Sequence, residues 1–83
     1  ADFCGSALVE AKLNDVNAER AKFGRADLGD ADCSGAAFKE ADFRGTVLVG
    51  ARLHDANLQG AKYDRDTEFA KRFNPNSRGM IKL

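Results

Sequence analysis

Apolar residues return along this chain at every fifth position. Residues 1–65 divide without insertion into 13 pentads, ADFCG SALVE AKLND VNAER AKFGR ADLGD ADCSG AAFKE ADFRG TVLVG ARLHD ANLQG AKYDR. The central residue i of each is apolar: Phe3, Leu8, Leu13, Ala18, Phe23, Leu28, Cys33, Phe38, Phe43, Leu48, Leu53, Leu58 and Tyr63. Position i−2 is Ala in 10 of 13 pentads, the exceptions being Ser6, Val16 and Thr46, while the remaining positions are mostly charged, polar or Gly. A period of five suits neither regular element, because apolar positions would spiral around a helix and would switch faces on a flat strand. The chain must therefore turn once per pentad. Residues i−2 and i point to the same side of a short extended segment, and a bend at i+1 and i+2 starts the next. Gly5, Gly35, Gly45, Gly50 and Gly60 all fall at i+2, where the lack of a Cβ eases a tight corner.

Pentads such as ADLGD (26–30) and ANLQG (56–60) match the A(D/N)LXX pattern outright, and over residues 1–65 the chain resembles the pentapeptide-repeat family. That resemblance implies an all-β fold, a right-handed quadrilateral parallel β-helix with four pentads per coil, here about three coils. Residues 20 apart should then stack at the strand spacing of ~4.8 Å. Phe3, Phe23, Phe43 and Tyr63 form one column, called face one. Leu8, Leu28 and Leu48 form face two, Leu13, Cys33 and Leu53 face three, and Ala18, Phe38 and Leu58 face four. The twelve larger centres constitute the expected core. Small Ala18 shares its pentad with the larger Val16, which predicts a local exchange of volume in a close-packed interior. Outside, at i−1, charge alternates along Asp2, Lys22, Asp42 and Lys62 on face one and along Lys12, Asp32 and Arg52 on face three, which predicts favourable cross-strand pairing.

After Arg65 the pattern ends. Residues 66–83 carry Phe69, Phe73, Met80, Ile81 and Leu83 around Pro75 and read as a C-terminal cap over the open solenoid end, with a short helix near Glu68–Arg72. The tail is similar to those closing some cyanobacterial and plastid-lumen members of the family. That likeness leaves the compartment open between cytoplasm and thylakoid lumen. At the other end the repeat begins at once from Ala1, which leaves the first coil free for self-association unless another segment or chain covers it.

Charge and cysteine content narrow the function. Lys plus Arg equal Asp plus Glu at 13 each, so there is no net field to draw in nucleic acid. No apolar run approaches the ~20 residues of a membrane span, so no membrane insertion is expected. Cys4 and Cys33 are too few and too far apart in sequence for a zinc or redox motif; Cys33 should point inward and Cys4 outward, with no bond between them. His54 stands at i+1 of face three above Ser34, with Asp55 and Asp15 at the corner. A nucleophile needs an oxyanion site and a dry cleft, which a flat face over a packed interior does not offer. His54 with Asp55 and Asp15 also lacks the further nitrogen or thiolate ligands a metal site requires. No catalytic, metal or cofactor site is predicted, and the chain is not read as an enzyme.

The surface that draws attention is face two, where the outward positions are Ala7, Val9, Asp27, Gly29, Val47 and Val49. The four apolar residues, Ala7, Val9, Val47 and Val49, mark a candidate contact site for a protein partner. Arg25, Arg44 and Arg65 gather on face one but are interleaved with Asp42 and Asp64, which argues against a nucleic-acid stripe. The function that follows is a structural or protein-interaction module presenting flat faces to a partner. The alternative, a DNA-mimicking topoisomerase-binding protein as the resemblance allows, would need a long and strongly negative rod.

Overall fold

The computed structural model describes residues 2–83; the expectation placed on Ala1 lies outside them. Parallel bridges join Asp2 to Lys22, Lys22 to Asp42 and Asp42 to Lys62; equivalent bridges run through Ala7, Asp27 and Val47, through Lys12, Asp32 and Arg52, and through Asn17, Ala37 and Asn57. Each step is 20 residues, so four pentads close one coil and the four columns read from the sequence are the four faces of a β-helix.

The pentad Ala26–Asp30 shows why five residues suffice for one side and one corner. The Ala26 N–H donates to Phe23 O across the preceding turn at 2.9 Å. The Asp27 N–H reaches back to Ser6 O at 2.9 Å, while those of Leu28 and Asp30 reach forward to Val47 O and Val49 O at 2.8 and 3.0 Å. The fifth, on Gly29, donates to Asp27 Oδ1 at 3.0 Å. Every backbone donor of the pentad thus has a partner, as a chain with so little irregular structure requires. The corner itself needs a left-handed residue: from Gly5 to Gly60 every i+2 position has φ between 57° and 78°, seven of them not glycine. Positive φ at the third residue is what a type II turn demands. Corner glycine is therefore a preference of the sequence, whereas corner geometry is invariant.

The interior is packed by the columns. Phe23 stacks between Phe3 and Phe43 with centroid separations of 5.0 and 5.1 Å, and Phe38 meets the edges of Phe23 and Phe43 at 5.7 and 5.2 Å. Of the expected core, Phe23, Leu28, Cys33, Phe38, Phe43, Leu48, Leu53, Leu58 and Tyr63 are buried. Phe3, Leu8 and Leu13 are only partly buried, because no further coil lies above them among the described residues. Above the four centres of the first coil lies a mostly apolar opening of about 140 Å³ lined by Phe3, Leu8, Leu13, Val16, Asn17, Ala18 and Phe23.

The tail does not form the helix expected near Glu68–Arg72. Glu68 pairs in parallel with Val47, its N–H donating to Thr46 O at 2.9 Å and its carbonyl accepting from the Leu48 N–H at 2.7 Å. This is the solenoid path continued, 21 residues on instead of 20, and extended pairing displaces a helix. The extra residue is absorbed at the corner by Asp64, whose Oδ1 accepts from the N–H groups of Gly45 and Asp66 at 3.0 and 3.1 Å and from Thr67 Oγ1 at 3.2 Å. Beyond it the chain crosses the end of the solenoid. A single 3-10 turn spans Asn76–Arg78, and strand β2 (Ile81–Lys82) returns to pair in parallel with β1 (Lys62–Tyr63). Phe69 lies edge-on to Tyr63 at 5.3 Å and stacks on Phe73 at 5.0 Å. The Arg78 guanidinium closes the end, donating to Leu53 O and Ala56 O at 2.9 and 2.8 Å.

Candidate interaction surfaces

Face two carries the largest exposed aliphatic side chains of the solenoid walls. Val9 and Val49 are 50% and 49% exposed, two coils apart at i+1, and the residue stacked between them is Gly29. With no side chain there, the two valines flank a shallow step. A Cβ on Gly29 would come within 3.2 Å of Asp27 Oδ1, which is held against the backbone of its own pentad. Ala7 is exposed beside Val9, whereas Val47 is half-buried, with its backbone paired to Glu68 of the tail. Three of the four expected contact residues thus face solvent on one flat wall.

Face one bears a wider groove of about 680 Å³, floored by Gly24 and Gly45 and walled by Lys22, Arg25, Asp42, Arg44 and Asp64. One ion pair lies within it, between Arg44 and Asp42. Arg44 grips Asp42 through Nε and Nη2 at 3.0 and 2.8 Å, and this hydrogen bonding holds the Asp42 carboxyl below the usual carboxylate range. The alternating i−1 charges do not pair with one another as expected: among the described residues the ion pairs are Arg20–Glu40, Arg44–Asp42 and His54–Asp55. The i−1 carboxylates and amides turn instead to their own corner. Asp2, Asp32 and Asp42 accept from the N–H two residues ahead at 3.0, 3.1 and 3.1 Å, as do Asn17 and Asn57 at 3.2 and 3.0 Å. Such side-chain turns explain Asp and Asn at i−1 by local geometry. The recurrence of Asp or Asn before the central residue was the signal for this role, and a reading by charge alone passes over it.

The residues that suggested chemistry are dispersed in use. Ser34 Oγ donates to Asp32 Oδ1 at 2.8 Å, and His54 Nε2 lies 3.2 Å from Asp55 Oδ2 with both side chains exposed. Cys33 is buried; burial first, and then the Asp32 charge, push its thiol up to about 11. Cys4 is exposed on face one. Among the described residues no three His, Cys, Asp or Glu side chains gather into a metal-binding group, and no helix is long and apolar enough to cross a membrane.

A family model for pentapeptide repeats matches the chain in 8 copies across residues 1–31 and 26–62. Among solved structures, the chain is similar to a pentapeptide repeat protein from the cyanobacterium Cyanothece 51142, at 30% identity and a TM-score of 0.75. The match covers 76% of this chain and 43% of that one, so the chain spans less than half of that protein's length. A pentapeptide repeat protein from Nostoc Pcc 7120 is similar in fold, with a TM-score of 0.73 at 24% identity over 99% of this chain and 84% of that one. No curated protein matches the chain.

Proposed function

The chain belongs to the pentapeptide-repeat family, and from that premise we propose that it serves as a non-enzymatic interaction module: a right-handed, four-sided β-helix of about three coils, closed by its tail, that offers a flat wall to a protein partner. Face two is the wall in question. The observation that carries this reading is the pair Val9 and Val49, each half exposed, held at fixed separation across Gly29 on a backbone hydrogen-bonded from coil to coil. Burying two such valines against a partner contributes on the order of 1 kcal/mol or more each, and a rigid surface loses little entropy on binding. Ala7 and Val47 extend the apolar strip, and Asp27 supplies one charge at its centre.

The test is capture from an extract of the source organism on immobilised chain, compared with a Val9→Lys, Val49→Lys double variant and with an Arg65→Glu variant of face one. A partner retained by the native chain and by Arg65→Glu, and lost from the double variant, is the expected result. Identical captured proteins on all three supports would refute the assignment of face two.

A further inference from the structure

We propose that face two takes a basic, aliphatic protein segment, one that sets lysine or arginine side chains beside its apolar contacts. This rests on the face-two reading and specifies its partner. The formal charge of zero conceals a segregation by face. The three pentads of face two, residues 6–10, 26–30 and 46–50, hold Glu10, Asp27 and Asp30 and no lysine or arginine, whereas the four of face one hold five cations against three carboxylates. The next rung of face two adds Glu68, and cations appear on its path only past Phe69, where Lys71 and Arg72 form a turn. Arg25, at the corner shared with face one, lines the groove on that side. Among the described residues none of the four face-two carboxylates is in an ion pair, and Glu10, Asp30 and Glu68 are exposed.

Glycines place two of these carboxylates against the apolar strip. Asp27 Oδ1 accepts from the Gly29 N–H at 3.0 Å and so lies in the step between Val9 and Val49, half-buried. Asp30 leans over Gly50, in the space a side chain would fill, directly after Val49 in the chain. A partner that covers Val49 must therefore cover carboxylates as well. A purely apolar surface would strip water from them and return nothing, which opposes the gain from the valines. An acidic protein, a nucleic acid or an anionic lipid would be repelled. A lysine or arginine beside an aliphatic side chain compensates the desolvated carboxylates while the valines are buried, and the backbone beneath them is already fixed.

Selection of random linear peptides displayed on phage, against the immobilised native chain, tests the composition of the partner without presupposing its sequence. Enriched peptides should carry lysine or arginine beside valine, leucine or isoleucine in excess of the starting library. Synthesised and titrated by fluorescence anisotropy, they should bind an Asp27→Asn, Asp30→Asn, Glu68→Gln variant on the order of tenfold more weakly, and the difference should shrink in high salt. That variant should fold normally, since Asn17 and Asn57 already make the turn that Asp27 makes and asparagine tolerates the left-handed backbone of residue 30; circular dichroism and melting check this. The Val9→Lys, Val49→Lys variant should not bind them. Enriched peptides of neutral or acidic composition, or equal affinity for the native and carboxamide chains, would overturn the basic partner; loss of those peptides from the valine variant would then still leave face two as the contact wall. Basic peptides that bind the valine variant unchanged would overturn both readings. Absence of any enrichment over a blank support would overturn the basic segment, and the extract capture would decide face two by itself.

Discussion

The last and the first described coils of this solenoid are packed differently. A β-helix cut across its axis presents unpaired backbone and the flat rims of its apolar columns. At the C-terminal end, Arg78 takes up two carbonyls, β2 pairs with β1, and Phe69, Phe73 and Met80 lie over the columns. At the first described coil, Phe3, Leu8 and Leu13 are only partly buried, and among the described residues the amides of Ala7, Lys12 and Asn17 have no partner. Among the described residues, identical repeat chemistry thus yields an interior packed on both sides, a last coil covered by the tail and a first coil packed on one side. The difference locates stability in stacking between coils and leaves each pentad alone with little.

The sharpest way to break that comparison is to place the same charge in the same aromatic column at two depths. Phe23 is 2% exposed between two rings, whereas Phe3 is stacked on one side only. Phe23→Asp should bury an unpaired carboxylate and cost several kcal/mol, enough to unfold a domain of ordinary stability. Phe3→Asp, able to reach water, should cost markedly less. Urea denaturation of both variants measures this, and equal midpoints would contradict the end effect.

At the opposite end, Arg78→Ala removes two charge-assisted hydrogen bonds and the guanidinium packed 5.6 Å from the Phe73 ring centroid. A loss of about 2–3 kcal/mol is expected, concentrated in faster amide exchange of residues 53–63 and the tail. Arg20→Ala, which removes an exposed ion pair on a side wall, should leave the melting temperature nearly unchanged.

These contrasts also mark what the sequence could and could not convey. Face assignment was fully legible, because a residue at i is inward or the fold fails; Phe23, Leu28 and Phe38 left no choice. Corners were half legible. Gly at i+2 signalled the turn, but Glu10, Asp15 and Arg20 adopt the same left-handed backbone with nothing in their chemistry to announce it. The tail was read least well, since one inserted residue at Asp64–Asp66 hides the continuation of the repeat through Thr67, Glu68 and Phe69, and a five-residue window broken once looks like its end. Candidate contact residues were legible as outward and apolar, yet Val47 is only half exposed and its backbone is paired to Glu68 of the tail, beyond the insertion.

Corners permit a smaller and more local test. Gly50 has φ 78° and its missing Cβ leaves room for the Asp30 carboxylate stacked beneath it. Gly50→Ala adds a Cβ in the left-handed region and should cost about 1 kcal/mol. Gly24, whose added Cβ would meet Cys4 Sγ at an ordinary 3.5 Å, needs no positive φ, and Gly24→Ala should be close to neutral. Thermal melts of the pair measure what a corner Cβ costs, left-handed backbone together with displacement of the Asp30 carboxylate, against a wall position that has neither.

The smallest expected effect lies at the inserted residue, where solenoid and cap join. Partial burial pushes the Asp64 carboxyl up, but the hydrogen bonds it accepts from the Gly45, Asp66 and Thr67 amides and the Thr67 hydroxyl outweigh that and lower it below its ordinary 3.8. A carboxyl depressed in the folded chain contributes stability that is present above its unfolded value and is lost as pH falls through the folded one. The junction should therefore loosen only in strong acid, below about pH 4. Asp64→Asn keeps an oxygen to accept the same bonds and cannot ionise, so its deficit relative to the native chain should be constant at neutral pH and shrink as both are acidified. Exchange of the Gly45 and Asp66 amides across pH 2 to 6, compared with an unstructured-peptide reference, reads the junction directly. Parallel slopes for the two proteins would mean that the depressed carboxyl does not couple to folding, and that the insertion is held by Thr67 alone.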